Sequence, residues 1–322
     1  MSDRSSSPSI PFYLPSESPS GAPFGALEEK IIHQNRVPHY ALYPGGITHA
    51  FMSEIPWHWH GEFEFGYVQR GRIRYKTSCQ EVILSAGDGI FINSGVLHTL
   101  TPLEEVQIYS QFIDGDFLAG VDGESLYERY VRPVAEAYQL DALPLFQTDP
   151  AGERCLAALR EGIRLAEDEG DFYELKLRRV FLELWQTVFR WAEKSPVDGL
   201  ERAYDPIADG RMKEMIRFIQ QHFPEPLRTA DVADAAHISE RECYRLFQSR
   251  IGLTPAEFLL SVRMRQAVEL LYYTQKSVLE IAVETGFGSS SYFGKRFKEQ
   301  FALSPGQFRT RRRSGDSGKS TG

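Results

Sequence analysis

Near its C-terminus the chain repeats itself. Phe247, Ile251, Leu253, Thr254, Pro255, Glu257 and Phe258 recur fifty residues later as Phe297, Phe301, Leu303, Ser304, Pro305, Gln307 and Phe308. Upstream, Ala233 and Ile238 recur as Ala282 and Phe287, with the offset slipping to 49. The apolar spacing is helical from residue 211 to about residue 310, so the repeat reads as two similar helical units. "TPAE" (254–257) and "SPGQ" (304–307) combine a hydroxyl N-cap, a proline in the first turn and an acid or amide three residues on. That is a capping box opening a new helix. "SERE" (239–242) reads as a third capping box, opening the second helix of the first unit. Each unit is then helix, tight turn, helix, the layout of a helix-turn-helix. One such pair is filler in most folds, and the duplication is what gives it weight.

Charge separates this segment from the rest. The net charge of −8 divides into −13 for residues 1–205 and +5 for residues 206–322. An acidic front and a basic back imply two jobs, the second near a polyanion. The tail "RTRRRSG" (309–315) adds to the basic side. Clustered Lys and Arg on a paired helix-turn-helix are the footprint of phosphate binding.

The front reads differently. Residues 31 to about 115 hold short alternating runs such as "RIRYKTS" and "QEVIL", broken by "QRGR" and "SAGDG". Closely spaced strands of this kind predict a small barrel or sandwich. From about residue 150 the period becomes helical, with Leu156, Leu159 and Ile163 on one face. Leu177, Val180, Phe181, Leu184, Trp185, Val188 and Phe189 follow as a wide apolar stripe. "SPVDGLERAYDPIADG" (195–210) lacks periodicity and reads as a linker. The first 25 residues contain eight serines and five prolines and read as a disordered arm. Cys79, Cys155 and Cys243 are far apart, which favours a reducing compartment and no disulfide frame. No uncharged apolar run reaches the roughly 18 residues of a membrane span. A cytoplasmic location without membrane attachment is the expectation.

The resulting division is a disordered arm (1–25), a β-rich domain (26–150), a helical segment whose surplus apolar surface reads as a dimerisation segment (151–194), a linker (195–210), a double helix-turn-helix (211–313) and a disordered tail (314–322). The expected fold class is two-domain: an all-β barrel with appended helices, then an all-α domain of two helix-turn-helix units.

Within the front half, "WHWHGEFEFGYVQRG" (57–71) places His58, His60 and Glu64 at spacings of two and four. In an extended run these share one face, and Glu62 would join them. Two imidazoles and a carboxylate on one wall suit Zn²⁺, Fe²⁺ or Mn²⁺. Two inward carboxylates equally suit a polyhydroxylated ligand such as a sugar. Trp57, Trp59, Phe63, Phe65 and Tyr67 fall on the opposite face and read as packed core.

Both halves resemble known families. "SVLEIAVETGFGSSSYFGKRFKEQFALSPGQFR" (277–309) is similar to the signature of AraC-type transcription regulators. The likeness lies in Ile281-Ala282, Gly286-Phe287, Ser291-Tyr292-Phe293, Phe297-Lys298, Ser304-Pro305 and Phe308-Arg309. Ala302 departs from it, standing where the family usually has glycine and where the first unit has Gly252. The front resembles a cupin: His58, His60, Glu64 and Gly71 meet its first motif, and Gly87, Gly95 and His98 its second. Asn93 and Pro102 depart from the second motif, where proline and asparagine are usual. The cupin likeness makes His58, His60, Glu64 and His98 the ligand-competent set for a divalent metal.

The resemblance implies a sequence-specific DNA-binding regulator with a cupin-like small-molecule sensor. The preferred reading of His58, His60, Glu62, Glu64 and His98 is an effector-binding wall without metal. A metal held structurally, or as part of the signal, is the alternative, and the cofactor stays open. A metallo-cupin enzyme carrying a DNA-binding domain is the competing function. In each unit the second helix should enter the major groove. Spacing turns Glu240, Arg241, Tyr244, Arg245 and Gln248 outward in the first unit, and Ser290, Ser291, Gly294, Lys295 and Lys298 in the second. Arginine reads guanine and glutamine reads adenine, so the first unit should discriminate sequence. The second should mainly add affinity. Double-stranded DNA, a small-molecule effector, a second copy of the chain and, for an activator, RNA polymerase are the implied partners.

Overall fold

The computed structural model describes residues 37–47, 55–137, 140–194 and 205–316. The arm at 1–25, the linker residues 195–204 and the tail from 317 lie outside the described residues. Among the described residues nine strands form the front half: β1 (Tyr40–Ile47), β2 (Ile55–His58), β3 (Phe63–Arg70), β4 (Arg72–Thr77), β5 (Glu81–Ser85), β6 (Gly89–Ile92), β7 (His98–Pro102), β8 (Val106–Ile113) and β9 (Ala142–Leu145). They build two antiparallel sheets, β1-β8-β3-β6-β9 and β2-β7-β4-β5. β9 is an addition to the strands legible in the sequence. It is short and comes after a helical excursion, pairing with β6 through Ala142↔Ile92 and Leu145↔Gly89.

β3 shows how period two divides the core. Phe63 and Phe65 point out of the barrel to the helices, while Val68 faces the barrel interior with Ile73, Tyr75, Leu84, Ile90 and Leu100. At the β3–β4 turn Gly71 has φ +84°, and a Cβ there would lie 2.2 Å from the Glu105 carbonyl oxygen. No other residue closes that turn without moving backbone.

The outer face of the larger sheet is covered by helices. A short α1 (Gly115–Ala119), α2 (Glu124–Leu126), a π-turn (Tyr127–Val131) and α3 (Arg132–Ala135) precede β9. α4 (Pro150–Asp168) and α5 (Tyr173–Lys194) follow it. Asp149 caps α4 by accepting from Gly152 N, with Pro150 in the first turn. The stripe expected to serve a second copy is buried within the chain instead. Leu177, Leu184 and Val188 are 0%, 3% and 1% exposed, in one cluster with Phe63, Phe65, Phe91, Leu156 and Leu159. The sheet has more apolar surface on this side than a bare barrel needs, and α4 and α5 cover it.

The second half is helical: α6 (Pro206–His222), α7 (Thr229–Ala235), α8 (Glu240–Arg250), α9 (Pro255–Tyr273), α10 (Val278–Glu284), α11 (Ser290–Phe301) and α12 (Pro305–Asp316). α6 opens on Asp205, whose carboxylate accepts from Ile207 and Ala208 N, with Pro206 in the first turn. Residues 206–210, read as linker, are therefore helical. α12 likewise runs through 314–316, read as tail. α7–α8 and α10–α11 are the two helix-turn-helix units, and α9 bridges them. Thr254/Glu257 and Ser304/Gln307 form reciprocal capping boxes, as does Ser277/Glu280. "SERE" forms only half of one. Ser239 accepts from Glu242 N, but the Glu242 carboxylate is held by Arg245 instead of turning back to the cap.

Ala302 ends α11 in the left-handed region, at φ 57° and ψ 10°, where Gly252 ends the first unit at φ 83°. A Cβ in that region costs roughly 1 kcal/mol. Ala302→Gly is expected to raise stability by about that amount, less the added chain entropy of glycine. Thermal unfolding reads the change, and a lower midpoint contradicts it.

Candidate functional site

The histidine stretch does not stay extended. β2 ends at His58, a bend at Gly61 and Glu62 carries the chain from the smaller sheet to the larger, and β3 begins at Phe63. The group assembles from both sheets nonetheless. His58 and His98 are direct cross-strand partners on β2 and β7, with ring centroids 4.1 Å apart. His60 reaches in from the bend, and Glu64 from β3. His58, His60, Glu64 and His98 are 7%, 1%, 2% and 0% exposed. Glu62, expected to face inward with them, is half-buried on the bend and outside the histidine group.

The hydrogen bonds fix how each ring is presented. His58 Nδ1 lies 2.7 Å from Pro56 O, His60 Nδ1 3.0 Å from Glu62 O and His98 Nδ1 2.8 Å from Val96 O. A carbonyl oxygen only accepts, so all three Nδ1 atoms are the donors. Each Nε2 is then left with its lone pair while the ring is neutral. The three rings offer ligand atoms within 4.8 Å of one another. Glu64 Oε2 lies 3.4 Å from His60 Nε2 and 3.2 Å from His98 Nε2. Its other oxygen accepts from Ser110 Oγ at 2.7 Å. Phe112 packs edge-on to His60 at 5.0 Å.

Electrostatics follow from burial. Desolvation, with His98 and His60 alongside, holds His58 well below the usual imidazole range, so this ring is neutral. Burial pushes the Glu64 carboxyl up, and His60 and His98 hold it well below its ordinary value only when a proton or a cation stands between their Nε2 atoms and the carboxylate. His98 Nε2 is buried and has no hydrogen-bond partner: with Nδ1–H given to Val96 O it is an acceptor, and it faces another acceptor, the Glu64 carboxylate, at 3.2 Å. A tetrahedral ion with bonds of about 2.1 Å spaces its donors roughly 3.4 Å apart. The two Glu64 contacts already match that spacing, and the histidines need only draw in. The donor set of three imidazole nitrogens and one carboxylate oxygen fits a divalent transition ion.

Ser110 and Phe112 are site residues that sequence reasoning missed. Their only link to the motif is cross-strand register, since Ser110 sits opposite Gly66 and Phe112 opposite Glu64 on β8. No local spacing marks them.

In the helical half, α8 begins after Ser239 and exposes Glu240, Arg241, Tyr244, Arg245 and Gln248. Cys243, Leu246 and Phe247 take the buried side. On α11, Ser291, Lys295 and Lys298 are exposed, and Ser290 and Gly294 half-buried. Tyr292 is exposed there too and was not singled out from spacing. Arg245 donates to both carboxylate oxygens of Glu242, at 2.7 and 2.6 Å, which fixes its guanidinium on the helix surface. Tyr244 and Thr229 share a hydrogen bond at 3.2 Å across the unit.

Comparison with known proteins finds both halves. Residues 45–184 match the AraC-like ligand binding domain, and residues 232–311 match the helix-turn-helix domain, together more than half of the chain. The HTH-type transcriptional regulator YdeC of Bacillus subtilis (strain 168) is 26% identical over 284 residues, covering 87% of this chain and 94% of that protein. The HTH-type transcriptional activator RhaS of Enterobacter sp. (strain 638) is 32% identical over 144 residues, covering 45% of this chain and 49% of that one. Among solved structures, ToxT from Vibrio cholerae has a TM-score of 0.45 at 15% identity, over 84% of this chain and 98% of that one. The relatives are named as transcriptional regulators, and the regulator reading stands over the metallo-cupin enzyme. With a β-rich ligand-binding half in front of a double helix-turn-helix, the protein belongs to the AraC-type transcriptional regulators.

Proposed function

We propose that this regulator's β-rich half binds a divalent transition metal on His58, His60, His98 and Glu64, and that a small oxygen-rich effector completes the ion's coordination. The observation carrying this reading is the common tautomer. Three buried rings each give Nδ1–H to a backbone carbonyl, their ligand atoms lie within 4.8 Å of one another, and the Nε2 atoms of His60 and His98 lie beside the Glu64 carboxylate. A plain effector wall would not need three rings locked alike. The bound ion supplies an electrophilic centre for an anionic or hydroxylated effector. The chain supplies the orientation, through Pro56, Glu62 and Val96 carbonyls and the Ser110 hydroxyl. Glu62, half-buried on the bend, is kept in this reading as a contact for the effector rather than the ion.

The helical half binds duplex DNA in this reading. Glu240, Arg241, Tyr244, Arg245 and Gln248 on α8 face the bases, and Ser290, Ser291, Lys295 and Lys298 on α11 supply the second contact. Activation through RNA polymerase is the favoured outcome, because RhaS is named an activator. Homodimer formation in the cytoplasm completes it. Phe172, 71% exposed just before α5, and Leu175 and Leu182 on α5, 68% and 39% exposed, are the large apolar residues left for a second copy along 151–194.

Elemental analysis tests the metal. The parent, purified without chelator and dialysed, is expected to hold close to one ion per chain. His98→Ala should lower occupancy sharply, since a single lost ligand leaves Glu64 and two rings to share the ion. A parent that stays metal-free after incubation with Zn²⁺, Fe²⁺ or Mn²⁺ rejects the proposal and returns the site to an organic effector alone.

A further inference from the structure

The strands that carry the histidines have a second face. Trp57 and Trp59 flank His58, and Leu97 precedes His98. Neighbours along an extended chain point opposite ways. These side chains therefore leave the histidine face, and they are 7%, 5% and 1% exposed. Their cover comes from the other half of the protein, in one cluster with Met212, Ile216 and Phe247. The Arg217 guanidinium on α6 stands 5.7 Å over the Trp59 ring. Lys213 Nζ, one turn earlier, lies 3.6 Å from where a Cβ on Gly95 would be.

Backbone joins the two faces. The Pro56 carbonyl that holds His58 belongs to the peptide unit leading into Trp57. The Val96 carbonyl that holds His98 belongs to the one leading into Leu97. His60 is tied through its own carbonyl to Gly95 N at 2.8 Å, directly under Lys213. The rings of His58 and His98 are thus fastened to peptides that lead into side chains packed on the helical half, and His60 is joined to the same seam through its backbone at Gly95. An ion that draws the three Nε2 atoms together has to turn these rings and pull on those peptides.

We propose that the DNA-binding half reads the state of the histidine site through Trp57, Trp59 and Leu97, with α6 as the receiving element. This rests on the metal reading above. An ion that favours one seating of α6 must, by linkage, change DNA affinity, and DNA must change ion affinity by the same factor. The wall makes the coupling local, since no side chain beyond the β2 and β7 strands is needed to carry it.

The test uses the full chain, Zn²⁺ and a duplex selected from random sequence by the parent. DNA affinity of the parent is expected to differ about 5-fold or more between metal-free and Zn²⁺-loaded protein. Intrinsic tryptophan emission should also change on Zn²⁺ addition without DNA, because Trp57 and Trp59 sit on the moving peptides. Trp59→Ala should still hold one ion per chain but respond by less than about 2-fold, below the usual range of site-to-site coupling. Arg217→Gln keeps the core intact and should weaken the response in the same direction, so the result stands if Trp59→Ala fails to fold. A parent that binds no ion overturns the metal reading, and this inference with it. A parent that binds the ion with unchanged DNA affinity, or variants that keep the full response, overturn this inference alone.

Discussion

Leu184→Glu is expected to unfold the β-rich half rather than release a folded monomer. Leu184 is 3% exposed in the cluster that joins α4 and α5 to the larger sheet. A carboxylate there has no partner among the surrounding phenylalanines, leucines and Trp185. Loss of the packed leucine and burial of an unpaired polar group together cost about 4 kcal/mol or more. That is a large part of the roughly 5–15 kcal/mol that holds a domain together. Near-ultraviolet circular dichroism and sedimentation should show lost tertiary structure or aggregation. Leu182→Glu, two residues away on the opposite side of α5 and 39% exposed, should stay within about 0.5 kcal/mol of the parent. A well-folded Leu184→Glu protein would show that the stripe is accessible after all.

Arg245→Ala and Lys295→Ala are expected to fail differently. Arg245 is exposed on α8 and held as a flat fork by Glu242, a geometry suited to guanine once the pair opens or shifts. Its loss should cost about 1–3 kcal/mol at the preferred site and relax preference at one base position. Lys295, exposed on α11 at the equivalent place fifty residues on, is a point charge. Removing it should weaken all duplexes about equally and lower the salt slope by about one unit. Fluorescence anisotropy across salt concentrations separates these outcomes. Equal, sequence-blind losses from both variants would remove α8 from the role of main reader.

Much of this molecule is legible before folding, and the reasons are local. The caps at Thr254, Ser304 and Asp205 are short-range chemistry, although Asp205-Pro206 was hidden inside a stretch rich in turn residues. The alternation at 63–65 and the glycine at 71 need only period two and a tight turn. The histidine group was legible for a different reason from the one that spacing suggests. His58, His60 and Glu64 do not share one strand face. They meet because a bend folds β2 and β3 into different sheets around a common interior. That is why Glu62, in phase by counting, drops out, and why Ser110, out of sight by counting, joins. Amphipathic helices carry the opposite ambiguity. The stripe on α5 specifies that something apolar must cover it, and only the fold says that the cover is the chain's own sheet.

The tryptophans bear on how such regulators exchange parts. A cut between residues 194 and 205 looks clean on paper, with a β unit on one side and a helical unit on the other. Yet the first helical core is finished by Trp57, Trp59 and Leu97, donated from far upstream. A recombinant that grafts this sensor onto a foreign DNA-reading module would leave those rings facing the wrong neighbour, and the module would lose part of its own filling. The natural unit of exchange is therefore not the sensor alone but the sensor together with the helix Pro206–His222. Chimeras joined after residue 222 should inherit a matched seam, whereas those joined before residue 205 must have it redesigned.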